Sequence, residues 1–96
     1  MEYYVELKSG SSYGSDTIRA KMVTAPNIDE VRAGQLRIMA KNGHIGYAKI
    51  FKMVTGTKMK YLGDLDRKYW YTEKKGKITV YNVKANGSLG SVAHRW

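Results

Sequence analysis

Apolar and polar positions alternate from the start of the chain. Tyr3, Val5 and Leu7 interleave with Tyr4, Glu6 and Lys8, the two-residue period of a half-buried strand. Residues 9–16 (SGSSYGSD) have loop composition. Alternation returns over Thr17–Thr24, with Ile18, Ala20 and Met22 on one face and Arg19, Lys21 and Val23 on the other. The two runs predict a hairpin with a long loop. Ala25-Pro26-Asn27 then ends the strand, because proline removes a ladder donor.

The period changes after Pro26. Ile28, Val31, Leu36, Met39 and Ala40 form an apolar arc at helical spacing. Asn27 followed by Glu30 resembles a capping box. Asp29 and Glu30 near the start, with Arg37 and Lys41 near the end, complement the helix dipole. These signals predict a helix over 28–41, with Gly43 available as a left-handed cap. A rival reading stays open. Asn42-Gly43 is also a hairpin signal, Leu36-Arg37-Ile38 alternates, and Arg32 and Gln35 interrupt the arc.

From Gly46 onward the pattern is strand and turn. Strands are predicted at 46–54, 58–62, 68–73 and 77–83, with a short last one at 89–94. Turns fall at Thr55-Gly56, Gly63 to Asp66, Lys75-Gly76 and Ala85 to Gly87. The predicted fold is α+β: ββα followed by a meander of four or five strands, with one helix packed on a twisted antiparallel sheet. An all-β small barrel is the alternative. The chain has no internal repeat and no linker and forms a single domain over its 96 residues.

Composition adds function. Hydrophobic content of 43% and charged content of 26% suit a folded domain. The absence of cysteine excludes a disulfide framework, a Cys-based zinc site and thiol catalysis. There is no apolar run of signal-peptide or membrane-helix type. The chain therefore reads as cytosolic and complete from its initiator Met.

Charge is uneven. Seventeen Lys+Arg oppose eight Asp+Glu, a net charge of +9. Between Lys49 and Lys84 ten basic residues face three acids, Asp64, Asp66 and Glu73. The same stretch holds Phe51, Tyr61, Tyr69, Trp70, Tyr71 and Tyr81. Positive charge interleaved with aromatics suits a polyanion, most often nucleic acid.

Alternation assigns the faces. Trp70 lies opposite to Tyr69 and Tyr71, and Ile78 and Val80 lie opposite to Lys77 and Tyr81. A core of Trp70, Ile78 and Val80 would leave Tyr69, Tyr71 and Tyr81 with Lys77 on the other face. On the strand from Gly46, Ala48, Ile50 and Val54 are core, and Tyr47, Lys49, Phe51 and Met53 share the other side. The expected site is a Lys/Tyr-rich sheet face. Lys49, Lys58, Lys60, Lys68, Lys74, Lys75 and Lys77 would contact phosphates, and Tyr69, Tyr71 and Tyr81 would stack on bases. Cross-strand aromatic packing and lysines that deter edge aggregation are the plain alternatives for any one residue.

Catalytic signals are weak. Glu6-Leu7-Lys8 and Glu73-Lys74-Lys75 match only the E-x-K half of a nuclease signature, with no preceding Pro-Asp, and an exposed ion pair explains such triplets. Asp64 and Asp66 lack the further oxygen ligands of a calcium loop. His44 and His94 follow no metal spacing. The expectation is a non-enzymatic protein with no cofactor.

Gly46-Tyr47-Ala48-Lys49-Ile50, Thr55-Gly56, Lys60-Tyr61-Leu62 and Lys68-Tyr69-Trp70 follow a strand and a helix. In this order the stretch from Ile18 to Trp70 resembles small phage-encoded anti-CRISPR proteins that block type I-F surveillance complexes. The resemblance spans about half the chain. The N-terminal loop, a longer helix region and two further strands depart from it, and it carries over no site residue. It implies a basic surface that docks on the complex's DNA-binding path, in the cytoplasm of a host cell. The function expected is therefore binding of nucleic acid or a nucleoprotein complex, or of an acidic protein surface. The alternative is an anti-defence or host-takeover inhibitor of a protein complex.

Overall fold

The computed structural model describes residues 1–10 and 16–95; residues 11–15 of the loop read at 9–16 lie outside them. Among the described residues, seven strands and one helix follow in the order β1 (Glu2–Lys8), β2 (Thr17–Thr24), α1 (Ile28–Lys41), β3 (Tyr47–Thr55), β4 (Lys58–Leu65), β5 (Tyr69–Lys74), β6 (Lys77–Val83) and β7 (Leu89–Arg95). The predicted α+β architecture is the one observed. A single antiparallel sheet runs β2-β1-β3-β4-β5-β6-β7, with α1 crossing over from β2 to β3. The sheet is open and its edge strands are β2 and β7. No helix among the described residues is long and apolar enough to cross a membrane.

Helix wins over hairpin at 28–41 because both ends are locally satisfied. The Asn27 side chain accepts the Glu30 N–H at 3.0 Å, the half of the capping box that ties down an orphan donor. Gly43 is not the left-handed cap the sequence offered. The helix ends at extended Asn42, whose side-chain amide donates to the Ile38 carbonyl at 3.0 Å.

One face of the sheet carries the core. Tyr3, Val5 and Leu7 of β1, Ala48 and Ile50 of β3, Leu65 of β4 and Trp70 of β5 are buried with Val31 and Met39 of α1. Register explains the set. Leu7 opposes Ala48, Ala48 opposes Leu65, Leu65 opposes Trp70, and Trp70 opposes Tyr81. One rung thus crosses five strands beneath the helix.

The two polar residues in the helical arc are part of this core. Arg32 is 3% exposed and Gln35 is 2% exposed. Arg32 Nε donates to the Gly87 carbonyl at 2.7 Å, Nη2 pairs with Asp29, and the guanidinium lies 4.8 Å from the centre of the Trp70 ring. Gly87 sits at φ 87°, and a Cβ there would meet the Asp29 carbonyl oxygen at 1.9 Å. The β6–β7 turn can therefore close on α1 only with glycine at this point.

Two predicted boundaries are corrected. Gly63 to Asp66 is not a turn, because β4 continues to Leu65, which is fully buried. Gly63 serves close approach instead: a Cβ there would lie 2.6 Å from both the Trp70 ring and the Tyr71 carbonyl. Val54 is not core. The ladder slips between Met53 and Thr55, and Val54 is 57% exposed.

Candidate nucleic-acid interface

The face assignment turns on one tight turn. Lys75 and Gly76 both have positive φ, 52° and 77°, the pattern of a two-residue type I′ turn. Such a turn pairs Lys74 with Lys77 and carries the register back to Trp70 opposite Tyr81 and Tyr71 opposite Val80. The sequence reading had the alternation of each strand right and their relative phase wrong. Tyr81 and Lys77 lie on the helix-bearing face with Trp70, and Tyr69 and Tyr71 lie on the opposite, uncovered face. Tyr81 packs against the core. Val80 is buried on the uncovered side, and Ile78 is 38% exposed.

The lysines gather where the sheet divides. Strands β4 and β5 pair only at Asp64–Tyr71 and Leu65–Trp70. Beyond these rungs β3–β4 and β5–β6 continue as two separate arms, the first still flanked by β1 as far as Lys52 and the second by β7 as far as Thr79. An extra residue in β4, Leu62, breaks the β3–β4 register there, between Ile50 and Phe51. Every residue from 54 to 61 and from 73 to 78 is exposed.

On the first arm Lys52 stands directly opposite Lys60, in line with buried Tyr3 of β1. On the second, Lys74 stands directly opposite Lys77, two residues beyond the Thr72–Thr79 rung. All four share the helix-bearing face, as does Arg95 of β7, which opposes Thr79. Lys58 and Lys75 lie at the arm ends. None of these six lysines has an ion pair or side-chain hydrogen bond among the described residues. Like charges directly opposite one another on a sheet repel, so two such pairs form a surface that an anion would relieve.

The uncovered face has the other sign. Glu6 opposes Lys49, Lys49 opposes Asp64, and Asp64 opposes Tyr71. Lys49 thus sits between two carboxylates, with its ammonium 5.3 Å from the centre of the Tyr61 ring. Tyr61 donates its hydroxyl to Asp64 at 2.6 Å, and Tyr71 donates to Asp66 at 3.0 Å. Burial raises the Asp64 carboxyl above its ordinary range despite the Tyr61 bond and Lys49. Burial, then the Asp66 bond, pushes the Tyr71 phenol up to about 12. Tyr61 rises by burial and by Asp64 and Glu73, and Tyr47 by burial and by Asp64 and Glu6.

Rings on this face meet one another at an angle. Tyr4, Phe51 and Tyr61 form a cross-strand row with centroids 6.0 and 5.5 Å apart and planes tilted by 50° and 58°. Tyr69 and Tyr71 meet at 6.3 Å in a T shape. Met22 opposes Tyr4 and Met53 opposes Met59, extending the row.

At the other end of the sheet an arginine is bound. Arg67 donates to the carbonyls of Ile45 at 2.7 Å, Met39 at 2.9 Å and Asn42 at 3.2 Å, closing the C-terminus of α1. Asp66 accepts the backbone N–H groups of Lys68 and Tyr69 and so builds the β4–β5 turn. Lys68 is exposed on this turn, away from the arm ends. A shallow cavity of about 230 Å³ lies beside it, lined by Gly46, Asp66, Arg67, Lys68 and Tyr69. The polar side chains of Asp66 and Arg67 are spent on the fold.

Of the ten predicted contact residues, the arms thus collect Lys58, Lys60, Lys74, Lys75 and Lys77. Lys49, Tyr69 and Tyr71 lie on the acid-bearing face, Tyr81 in the core and Lys68 on the far turn. Sequence reasoning missed Lys52: register carried back from the Thr55–Lys58 pair would set it opposite Tyr61, and the slip at Val54 brings it opposite Lys60 instead. The Glu6-Leu7-Lys8 triplet is an ion pair of 3.7 Å. No group of three or more His, Cys, Asp or Glu side chains suited to a metal occurs among the described residues.

No protein-family model, curated protein or solved structure matches the chain.

Proposed function

We propose that the chain is a non-enzymatic binding protein for nucleic acid, free or within a nucleoprotein complex, and that the two lysine arms are its contact surface. The observation that carries this reading is the pair of facing lysines on each arm, Lys52–Lys60 and Lys74–Lys77, with no carboxylate partner among the described residues. Phosphate neutralisation makes such binding fall steeply with salt. The test is fluorescence anisotropy with mixed-sequence DNA at 50 and 200 mM salt, conditions that separate phosphate contacts by roughly a thousandfold or more for about six contacts. Submicromolar binding at low salt that collapses at high salt supports the reading; no binding at low salt removes it.

One observation favours a second reading, an anti-defence or host-takeover inhibitor docking on a protein complex, as the anti-CRISPR resemblance implies. The uncovered face joins Met22, Tyr4, Phe51, Tyr61, Met53 and Met59 into one apolar row rimmed by carboxylates. A stoichiometric protein complex that survives nuclease treatment would favour this reading over the first.

A further inference from the structure

We infer that the ligand of the lysine arms is double-stranded DNA gripped by its phosphate backbone, and not a single strand stacked on the tyrosines. The inference rests on the nucleic-acid reading above and names its substrate class.

Single-strand binding without sequence preference combines two features on one surface: cations for the backbone and exposed rings for the bases. Here the two are divided between faces. Among the described residues, the face of Lys52, Lys60, Lys74 and Lys77 has aromatic side chains only where they are covered: Tyr3 is 2% exposed, Trp70 is 3% exposed, and Tyr81 packs on the core. The face with accessible rings carries Glu6, Asp64 and Glu73 by register, and its rings lean on one another, Phe51 tilted against Tyr61 and Tyr69 edge to face with Tyr71. A strand stacked there would bring its phosphates against carboxylates. Its bases would also have to displace Tyr61 and Tyr71 from their bonds to Asp64 and Asp66.

Cations without rings select for charge density. Duplex DNA presents about one charge per 1.7 Å of axis, denser than a single strand. The shape of the arms agrees. A two-stranded ribbon fits the B-form major groove, about 12 Å wide, whereas the deep, narrow major groove of an A-form duplex excludes it. Each arm ends in such a ribbon, beyond the Tyr3–Lys52 pair in the first and the Thr79–Arg95 pair in the second, and every residue from 54 to 61 and from 73 to 78 is exposed. The Lys75-Gly76 turn makes the second as narrow at its end as a hairpin can be.

The test compares three labelled probes of one mixed sequence, a DNA duplex, its single strand and the RNA duplex, across a salt series. Two variants with equal charge loss are set beside the natural chain. K74A/K77A removes one facing pair, and K41A/K84A removes two lysines remote from the arms. K52A/K60A repeats the experiment on the other arm should the first variant lose its circular-dichroism spectrum. The DNA duplex is expected to bind at least about tenfold tighter than the other probes. K74A/K77A should flatten its salt slope by about two units and K41A/K84A should leave it unchanged, at roughly one unit per lost phosphate contact. A single strand or RNA duplex that binds as tightly as the DNA duplex overturns the inference while the nucleic-acid reading stands. Equal slope changes in both variants overturn the assignment to the arms. No binding of any probe at 50 mM salt overturns both.

Discussion

The two ends of this sheet use positive charge in opposite ways. At the turn end, Arg67 is consumed by three carbonyls of the α1 terminus and its approach, and Arg32 by Gly87, Asp29 and the Trp70 ring. At the arm end, Lys52, Lys58, Lys60, Lys74, Lys75 and Lys77 make no such bonds. The difference follows residue chemistry. A guanidinium offers five donors in a planar fork and is weakly hydrated, so it can be buried against carbonyls and an indole. An ammonium on a flexible stem remains in water. A net charge of +9 is therefore not one property of the molecule. Part of it holds the fold together and part is left for a ligand.

Substitutions can break this contrast, beginning with the largest effect. Arg32→Ala strips a 3% exposed cation from the core, orphans the Gly87 carbonyl and uncovers Trp70. A loss of about 3 kcal/mol in urea unfolding is expected; a loss below about 1 kcal/mol would mean that Arg32 does not hold the β6–β7 turn onto α1. Arg67→Ala removes the Ile45 carbonyl's side-chain donor and leaves the Met39 and Asn42 carbonyls with their backbone N–H partners alone; it should cost about 1 kcal/mol, with hydrogen exchange rising first over the last turn of α1.

Tyr71→Phe removes the bond to Asp66 and should cost about 1 kcal/mol at neutral pH. Its sign with pH is fixed. The folded state raises the phenol to about 12, so its stabilisation is complete below the ordinary tyrosine value and fades as pH climbs toward 12. The variant should therefore lose stability less steeply than the natural chain over that alkaline range.

The smallest effect is at the arms. K74A/K77A removes two facing like charges, so stability should change by no more than about 0.5 kcal/mol, in the stabilising direction. A large destabilisation would show that the arm lysines serve the fold and would erase the contrast between the ends.

Much of the architecture was readable before any coordinates. Asn27 and Glu30 marked the helix start because a cap closes within three residues. The period of Tyr3, Val5 and Leu7 marked the first strand because only one of its faces is buried. Even the phase error between β5 and β6 was avoidable, since the Lys75-Gly76 turn dictates that Trp70 opposes Tyr81. The rest was not readable. Gly63 resembles a turn residue until the Trp70 ring is seen against it, and Arg32 resembles a solvent residue until Gly87, 55 positions away, is brought to its guanidinium.

The candidate site divides along the same line. That lysines 52 to 77 cluster in hairpins was a property of the sequence. That Lys52, Lys60, Lys74 and Lys77 face away from Tyr61, Tyr69 and Tyr71 was decided by register and by the bulge at Leu62.

The sequence by itself determined the element order, the helix ends and the turn of the second arm, because each depends on sterics and hydrogen bonds that close within a few residues. Only the tertiary structure decided which cations are bound and which are left to solvent. The distant partners of Arg32 and Arg67 are brought to them wherever the chain folds back, and nothing in their neighbouring residues names the Gly87 carbonyl, the Trp70 ring or the carbonyls at the end of α1.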